Sequence, residues 1–239
     1  AFTTIGTSGV VFAHSDRVTI DPQGRVHTFC SAVPGAWTVM SCTLAAGLSL
    51  KWLRDQFFTE EMKTAEGMGV DPYFLMDQQA GRVPIGANRL IFLPYLMGER
   101  SPLLDENSRG VFFGLSAIHT KYDLLRAVME GVAYSQRQCL DVLRGMGVVS
   151  TEMLACGGGG SSPLWRQMLA DVYGCPVKTV VSKEGPALGA AILAGVGAGL
   201  YPNVQEACRG MIQTNPAQQP DAQASEQYER FYQVYQSLY

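Results

Sequence analysis

The sequence contains little charge and no long hydrophobic run. Of its 239 residues, 16% are Asp, Glu, Lys or Arg, and the formal net charge is −3. This balance gives no general attraction to nucleic acid or to an acidic membrane surface, so we expect neither as a partner. The best candidate for a membrane span runs from Ala187 to Leu200, but it is short and is interrupted by four glycines.

Paired cysteines and clustered histidines are also missing. The six cysteines show no Cys-x-x-Cys spacing, and the three histidines show no metal-ligand spacing with cysteines or acids. A chain of this length with 47% hydrophobic residues can bury its own core and does not need disulfides. No basic start precedes an apolar segment, so no secretory signal is predicted. We therefore expect a cytoplasmic protein with reduced thiols and no metal site.

A first candidate for anion binding lies near the amino terminus. Two β-branched runs flank Gly6-Thr7-Ser8-Gly9, which predicts a tight strand–turn–strand. Successive backbone N–H groups in such a turn can form a concave nest that binds phosphate without Lys or Arg. A plain hairpin is the alternative, and for a lone turn of this length it would be preferred.

A second glycine cluster favours ligand binding. Four glycines at 157–160 follow a predicted strand at 153–156, and Ser162 and Pro163 are typical of a helix start. Glycines let a flat or anionic ligand touch the backbone, and a helix start adds positive potential. The spacing fits neither a Walker motif nor the dinucleotide fingerprint, so a merely tight turn remains the alternative. We expect the rest of the chain to bring both turns to one ligand.

The other patterns predict strands followed by β–α alternation. Residues 10–43 indicate a β-meander, and residues 44–57 indicate a helix. Gly47 in this helix marks a close approach by backbone or ligand, with a close helix–helix contact as the alternative. This order predicts an α/β fold of the ribonuclease H or actin type, with a mixed sheet flanked by helices.

Three further features concern the middle of the chain. Residues 120–143 predict the longest helix, with a capping box that begins at Thr120. Glu130 in this helix is expected to be solvated or hydrogen-bonded. In the loop after a short buried strand, Glu99 and Arg100 are expected to form a local ion pair.

Several separate motifs follow one another along nearly the whole chain. They are the hairpin at Gly6 to Gly9, His27-Thr28-Phe29-Cys30, Ser49-Leu50-Lys51-Trp52-Leu53-Arg54, Phe92-Leu93-Pro94-Tyr95-Leu96 with Gly98-Glu99-Arg100, Gly110-x-Phe112-x-Gly114-Leu115 with Asp123-Leu124-x-x-Ala127-Val128-Met129-Glu130, Gly157-Gly158-Gly159 to Asp171, and Glu184-Gly185-Pro186-Ala187-Leu188-Gly189-Ala190-Ala191. In this order they resemble the carboxy-terminal domain of the FGGY family of sugar kinases.

The resemblance implies an ATP site and Mg²⁺ as the accompanying cation. It places the terminal phosphates at the hairpin, the nucleotide beside the start of the helix at 44–57, and adenine and ribose at the second glycine cluster. The residues that it assigns to the nucleotide are Gly6, Thr7, Ser8, Gly9, Gly47, Lys51, Gly157, Gly158, Gly159 and Ser162. Of these, Lys51 follows from the resemblance alone.

The resemblance also implies that residues 1–239 are one domain of a longer enzyme. The chain begins at Ala1, without methionine and directly at a predicted strand, which suggests a neighbour upstream. In the family the catalytic Asp and the sugar-binding domain lie in that upstream part. We therefore expect no catalytic base in this chain and no turnover by it alone.

Three functions remain open at this point. A pentulose kinase is the first, a kinase for another sugar such as gluconate or a pentitol is the second, and a non-catalytic nucleotide-binding module is the third. Leu103 and Ser31 stand where related enzymes often have His, so the sugar is not fixed. Members of the family commonly pair, so the resemblance adds a homodimer as a further option.

Overall fold

A mixed β-sheet positions the two glycine turns. The structure is a computed structural model that describes residues 1–182 and 185–239. Its strands are β1 (Phe2–Ile5), β2 (Gly9–Ser15), β3 (His27–Cys30), β4 (Trp37–Thr43), β5 (Ile91–Leu93), β6 (Val111–Phe113), β7 (Met153–Cys156) and β8 (Val177–Lys178). Within these described residues, the main sheet has the order β3-β4-β2-β1-β7-β8, and β5 pairs with β6 separately.

The main sheet changes from antiparallel to parallel at β1. Strands β1, β2, β4 and β3 pair in antiparallel fashion in that order. The three strands predicted for residues 10–43 are present, but the predicted meander is wrong, because β2 pairs with β4 and leaves β3 at the edge of the sheet. Strand β1 then pairs in parallel with β7, with Phe2 opposite Leu154 and Thr4 opposite Cys156. Because parallel neighbours end at the same edge of a sheet, the turns after β1 and β7 lie side by side.

Helices surround this sheet, as the sequence predicts. They are α1 (Gly47–Phe57), α2 (Thr59–Met68), α3 (Pro72–Ala80), α4 (Lys121–Gly145), α5 (Gly157–Gly160), α6 (Pro163–Tyr173), α7 (Gly185–Gly197), α8 (Val204–Met211) and α9 (Ala222–Ser237), with a short 3-10 turn at Ala87–Arg89. Glu184, the first residue of one motif, lies outside the described residues. Among the helices of the described part, none is long and apolar enough to cross a membrane.

Helix α4 is the central helix of the core. It begins with the predicted capping box, in which Thr120 accepts from the backbone and Asp123 accepts from the Thr120 N–H at 2.7 Å. Most of its residues from Leu125 to Leu143 are buried, because it packs against β2, β4 and β5 as well as α1 and α6. The predicted longest helix is therefore confirmed.

Two predictions of local structure need correction. The helix predicted for residues 44–57 begins at Gly47, so this glycine is the first helical residue and not an interior one. The four glycines at 157–160 form one helical turn, α5, where a bare loop was expected. In both places, contacts with β1 and with the turn that follows it set the local conformation, and local sequence does not reveal them.

A buried ion pair joins α4 to its neighbours. Arg126 Nε donates to Glu130 Oε1 at 2.7 Å, and both side chains are at most 6% exposed. Arg126 also donates to Ala80 O at the end of α3 and to the Tyr228 hydroxyl of α9, at 3.3 and 2.5 Å. The Gly86 N–H donates to Glu130 Oε1 at 3.1 Å. Glu130 is thus hydrogen-bonded, one of the two predicted states, and together with Arg126 it connects α4 to α3, to Gly86 and to α9.

We predict that Glu130→Ala lowers the free energy of unfolding by about 3–5 kcal/mol, because Arg126 would remain buried without its counter-charge. Arg126→Met combined with Glu130→Leu removes both charges and should recover much of this loss. Urea unfolding followed by circular dichroism measures both effects.

A matched control exists in α9, where Arg230 pairs with Glu226 at 2.6 Å on the surface. Glu226→Ala should cost less than about 0.5 kcal/mol. Equal losses for Glu130→Ala and Glu226→Ala would contradict the structural role of the buried pair.

Candidate functional site

One cleft of about 770 Å³ opens where β1 and β7 end. Its walls come from the turn after β1, the first two turns of α1, helix α3, and the α5–α6 region. Its lining residues are Ile5, Gly6, Thr7, Gly47, Leu48, Leu50, Lys51, Asp71, Tyr73, Phe74, Asp77, Gly158, Gly159, Ser161, Ser162, Pro163 and Trp165. The structure thus brings the two glycine turns to one cavity.

Most of the predicted nucleotide residues line this cleft. They are Gly6, Thr7, Gly47, Lys51, Gly158, Gly159 and Ser162. Ser8, Gly9 and Gly157 belong to the same two turns but are not lining residues. Gly9 is buried, and a Cβ there would overlap the side-chain amide of Gln136 and lie 2.7 Å from the Thr43 methyl group. Packing alone therefore requires glycine at this position.

The turn after β1 directs its carbonyl groups at the start of α1. Gly6 O accepts from the Gly47 N–H at 2.7 Å, and Thr7 O accepts from the N–H groups of Ala46 and Leu48 at 3.1 Å. A Cβ at Gly47 would overlap Gly6 O, so the close approach expected at Gly47 is an approach by backbone. The turn thus satisfies N–H groups that helix α1, which lacks a side-chain cap, would otherwise leave open.

The same geometry leaves two adjacent N–H groups available. In a trans peptide the N–H points opposite to the C=O, so the N–H groups of Thr7 and Ser8 point away from α1. Within residues 1–182 and 185–239, neither donates to a protein acceptor. The first turn of α1 contains no acidic residue, so no side chain offsets the positive end of its dipole. Adjacent free N–H groups beside a helix start form a site for an anion.

The glycines of α5 serve different purposes. Gly157 has a φ of +77° and its Cβ would lie 2.8 Å from Ile5 O. A Cβ on Gly159 would lie 2.6 Å from the Ile5 side chain. Gly158 has open space in front of it, and it is the residue whose added side chain would enter the cleft. The run therefore packs against β1 at Gly157 and Gly159, and Gly158 is the cleft-lining glycine with no neighbour in front of it.

Helix α6 begins beside this glycine turn. Ser162 caps it, as predicted, because its Oγ accepts from the Trp165 N–H at 3.0 Å, and Pro163 is the first helical residue. The Trp165 side chain is 2% exposed and its indole N–H donates to Met129 O of α4 at 3.0 Å. The end of the cleft near α6 is therefore anchored to the central helix.

Helix α3 forms a wall that the sequence did not assign to the site. No sequence motif falls on this segment, yet Asp71, Tyr73, Phe74 and Asp77 line the cleft. Asp71 caps the helix by accepting from the Tyr73 N–H at 2.9 Å. The Arg54 guanidinium of α1 lies 4.9 Å from the centre of the Tyr73 ring. This cation–π contact joins the two helical walls.

Lys51 lies on the α1 wall, where the family resemblance placed it. Its Nζ donates to Asp55 at 2.5 Å, and Arg54 donates to the same carboxylate at 2.6 and 2.8 Å. The hydrogen bond from Lys51, followed by that from Arg54, lowers the pKa of Asp55. The charge of Lys51 is thus partly compensated inside its own helix.

A buried carboxylate fixes the connection between β4 and α1. Glu99 is 3% exposed, and its oxygens accept from the N–H groups of Leu44 and Arg100, at 3.0 and 2.7 Å, and from the Thr43 hydroxyl. Burial raises the pKa of Glu99, and these hydrogen bonds oppose the increase. The Arg100 side chain turns to His27 Nε2 at 2.5 Å. The predicted ion pair between Glu99 and Arg100 is therefore wrong.

A second buried polar group holds β1 itself. Gln136 of α4 is fully buried, and its Nε2 donates to Thr4 O at 2.9 Å. Its Oε1 accepts from the Thr3 hydroxyl at 3.2 Å. Sequence reasoning missed Gln136 and gave Glu99 the wrong partner, because the groups that these side chains bind include residues far away along the chain. Together they position the two segments between which the anion-binding turn lies.

Comparison with known proteins identifies the family. Residues 1–198 match the C-terminal domain of the FGGY family of carbohydrate kinases, so the chain belongs to that family. It is 36% identical to a xylulose kinase of Staphylococcus epidermidis over 239 residues, which is 100% of this chain and 46% of the relative. It is 39% identical to a gluconokinase of Bacillus subtilis over 206 residues, which is 83% of this chain and 38% of the relative.

A solved structure supports the same assignment. The crystal structure of a xylulose kinase from Brucella ovis superposes with a TM-score of 0.86 at 32% identity, covering 100% of this chain and 46% of that one. The predicted fold class, an actin-like α/β domain, is thereby confirmed. The chain spans about half the length of these relatives.

The glycines of α5 give a test of the site geometry. We predict that Gly157→Ala lowers the free energy of unfolding by at least about 1–2 kcal/mol, because alanine would be forced into a left-handed conformation. Gly158→Ala should change stability by less than about 1 kcal/mol and in the stabilising direction, because the space is open and the residue is helical. Urea denaturation measures both.

Gly67 in α2 provides the control, since a Cβ there also meets open space. Gly67→Ala should behave like Gly158→Ala. Similar losses in Gly157→Ala and Gly158→Ala would show that the packing described for α5 is incorrect.

Proposed function

We propose that this chain is the nucleotide-binding half of a sugar kinase that transfers the γ-phosphoryl group of ATP to D-xylulose, giving D-xylulose 5-phosphate. Membership of the carbohydrate kinase family supports the reaction class. Xylulose kinases that match almost the entire chain at 33–36% identity support the sugar. The observation that carries the proposal is the single cleft to which two separate glycine turns contribute.

The cleft suits a nucleotide in size and polarity. Its volume of about 770 Å³ falls within the usual range for cofactor sites. The free N–H groups of Thr7 and Ser8 would donate hydrogen bonds to the terminal phosphates. Lys51, on the α1 wall, would supply a positive charge on the same side of the cleft. The bare backbone at Gly158 and the start of α6 would lie against the nucleoside. Backbone amides thus supply most of the phosphate recognition.

The amino-terminal sugar-binding domain and the catalytic Asp belong, in this proposal, to an upstream part of the longer enzyme. That Asp would accept the proton of the attacking sugar hydroxyl, while this chain holds the γ-phosphoryl group in line with it. Mg²⁺ supplies charge neutralisation in such transfers. Among the described residues, no group of three or more His, Cys, Asp or Glu is placed to hold a metal ion.

The proposed reaction also bears on where the protein works and in what state. All six cysteines are free thiols, two of them only partly buried and one exposed, which suits the reducing cytoplasm where ATP-dependent sugar phosphorylation takes place. Pairing of two chains stays a prediction from the family resemblance.

Nucleotide binding is tested by isothermal titration of ATP and ADP into the chain. We expect binding by the wild type and at least tenfold weaker binding by Gly158→Leu, because the leucine would occupy the cleft. Gly67→Leu places the same side chain at an open helical position away from the cleft and should leave the affinity unchanged.

Two results would contradict the nucleotide site. One is the absence of any heat of binding with the folded wild type. The other is equal affinity in the wild type and in Gly158→Leu.

The sugar needs a separate experiment, because the B. subtilis gluconokinase supports gluconate as a second candidate. An enzyme that joins this chain to its upstream half should phosphorylate D-xylulose faster than gluconate in a coupled ADP assay. The 239-residue chain alone should form no sugar phosphate, because the proposed base is not part of it. Formation of D-xylulose 5-phosphate by the chain alone would contradict the assignment of the catalytic base to the upstream half. Faster phosphorylation of gluconate than of D-xylulose by the joined enzyme would favour a gluconate kinase.

A further inference from the structure

The α3 wall contains a carboxylate, Asp77, that has no role in the nucleotide site proposed above. Asp77 is half-buried and lines the cleft. Within the described residues, no Lys, Arg or His forms an ion pair with it. Its polar neighbour is the Ser162 hydroxyl, and desolvation raises the pKa of this carboxyl above its usual value. A carboxylate without a counter-charge in a cleft is costly unless a hydrogen-bond donor reaches it.

The neighbouring carboxylate is not in the same situation. Asp71 also lines the cleft, but it accepts from the Tyr73 N–H and caps α3. Ser162 is also occupied, because its oxygen accepts from the Trp165 N–H and its one proton can serve Asp77. Asp71 is exposed, so water can satisfy the acceptor sites that its cap leaves free, whereas Asp77 is half-buried and keeps acceptor capacity that faces the cleft.

The carboxylate can accept hydrogen bonds but cannot donate them, and it repels phosphate. It lies beside the start of α6, whereas the free N–H groups of Thr7 and Ser8 lie at the turn after β1. A nucleotide carries its negative charge at one end and its neutral donors, the ribose hydroxyls and the exocyclic amine of adenine, at the other. Only the end with neutral donors suits Asp77.

We propose that Asp77 is a specificity-determining residue of the cleft, whose carboxylate accepts a hydrogen bond from an N–H or O–H group of the bound nucleoside. The inference rests on the proposed function and deepens it. Ser162 then acts as a positioning residue for Asp77. A nucleotide without this N–H or O–H group would leave the Asp77 carboxylate desolvated and without a hydrogen bond. A nucleotide with a carbonyl oxygen at the same place would be repelled, because both oxygens carry only lone pairs.

The experiment compares ATP, ITP, 2′-deoxy-ATP and 3′-deoxy-ATP by isothermal titration. ITP replaces the exocyclic amine by a carbonyl oxygen, and each deoxy analogue removes one hydroxyl. The wild type should bind ATP about ten- to a hundredfold more tightly than at least one of the other three, which is the usual effect of a hydrogen bond to a charged group. The analogue that binds weakly identifies the donor.

Asp77→Asn keeps the size of the side chain and loses the charge, and it should reduce that preference at least about tenfold. Asp71→Asn removes the same charge from the same cleft and retains a good helix cap, so it should change the affinity for all four nucleotides by one common factor. Thermal unfolding of both variants confirms that they are folded.

The proposal is overturned if a folded Asp77→Asn retains the wild-type preference within twofold. It is also overturned, without any variant, if the wild type binds all four nucleotides equally. Failure of the proposed function looks different, because the wild type would then bind none of them.

Discussion

The parallel pairing of β1 with β7 is the constraint on which the site depends. These strands are about 150 residues apart in the sequence, and their hydrogen bonds place Ile5 and Gly157 side by side. Each turn alone is an ordinary strand ending with a few small residues. Adjacent ends in one sheet make them two walls of one cleft. A shift of this register by one residue would move the turn after β1 away from the turn after β7, and side-chain contacts could not restore the cleft.

In the proposed nucleotide site, backbone atoms would perform most of the recognition. The turn after β1 gives its carbonyl oxygens to α1 and thereby leaves its N–H groups free. This exchange explains how a chain with a net charge of −3 can offer an anion site that depends little on cations. It also explains why glycine is needed at Gly47, where the two backbones touch. The polar side chains around the cleft, Asp77 above all, are then free to set specificity.

Short-range features of the fold could be predicted from the sequence. The turn at Gly6 to Gly9, the caps at Thr120 and Ser162, and the alternation of strands and helices each depend on neighbouring residues, and they lie as expected. The contribution of α3 could not be predicted, because nothing local distinguishes Asp77 from any solvated helical Asp. Glu99 shows the same limit, since its adjacent Arg100 suggested a side-chain pair, while Glu99 accepts from the Arg100 backbone and from Thr43 and Leu44, which lie more than 50 residues away.

The tyrosines of α9 extend the folding unit beyond the matched family region. That region ends at residue 198, whereas Tyr228, Tyr232 and Tyr235 are buried against Tyr134 of the central helix. A truncation at that boundary would strip an aromatic layer from α4 and remove the phenol that Arg126 holds. Helix α9 therefore covers one side of the core. The part of the chain that folds as one unit is longer than the family match, which ends at residue 198.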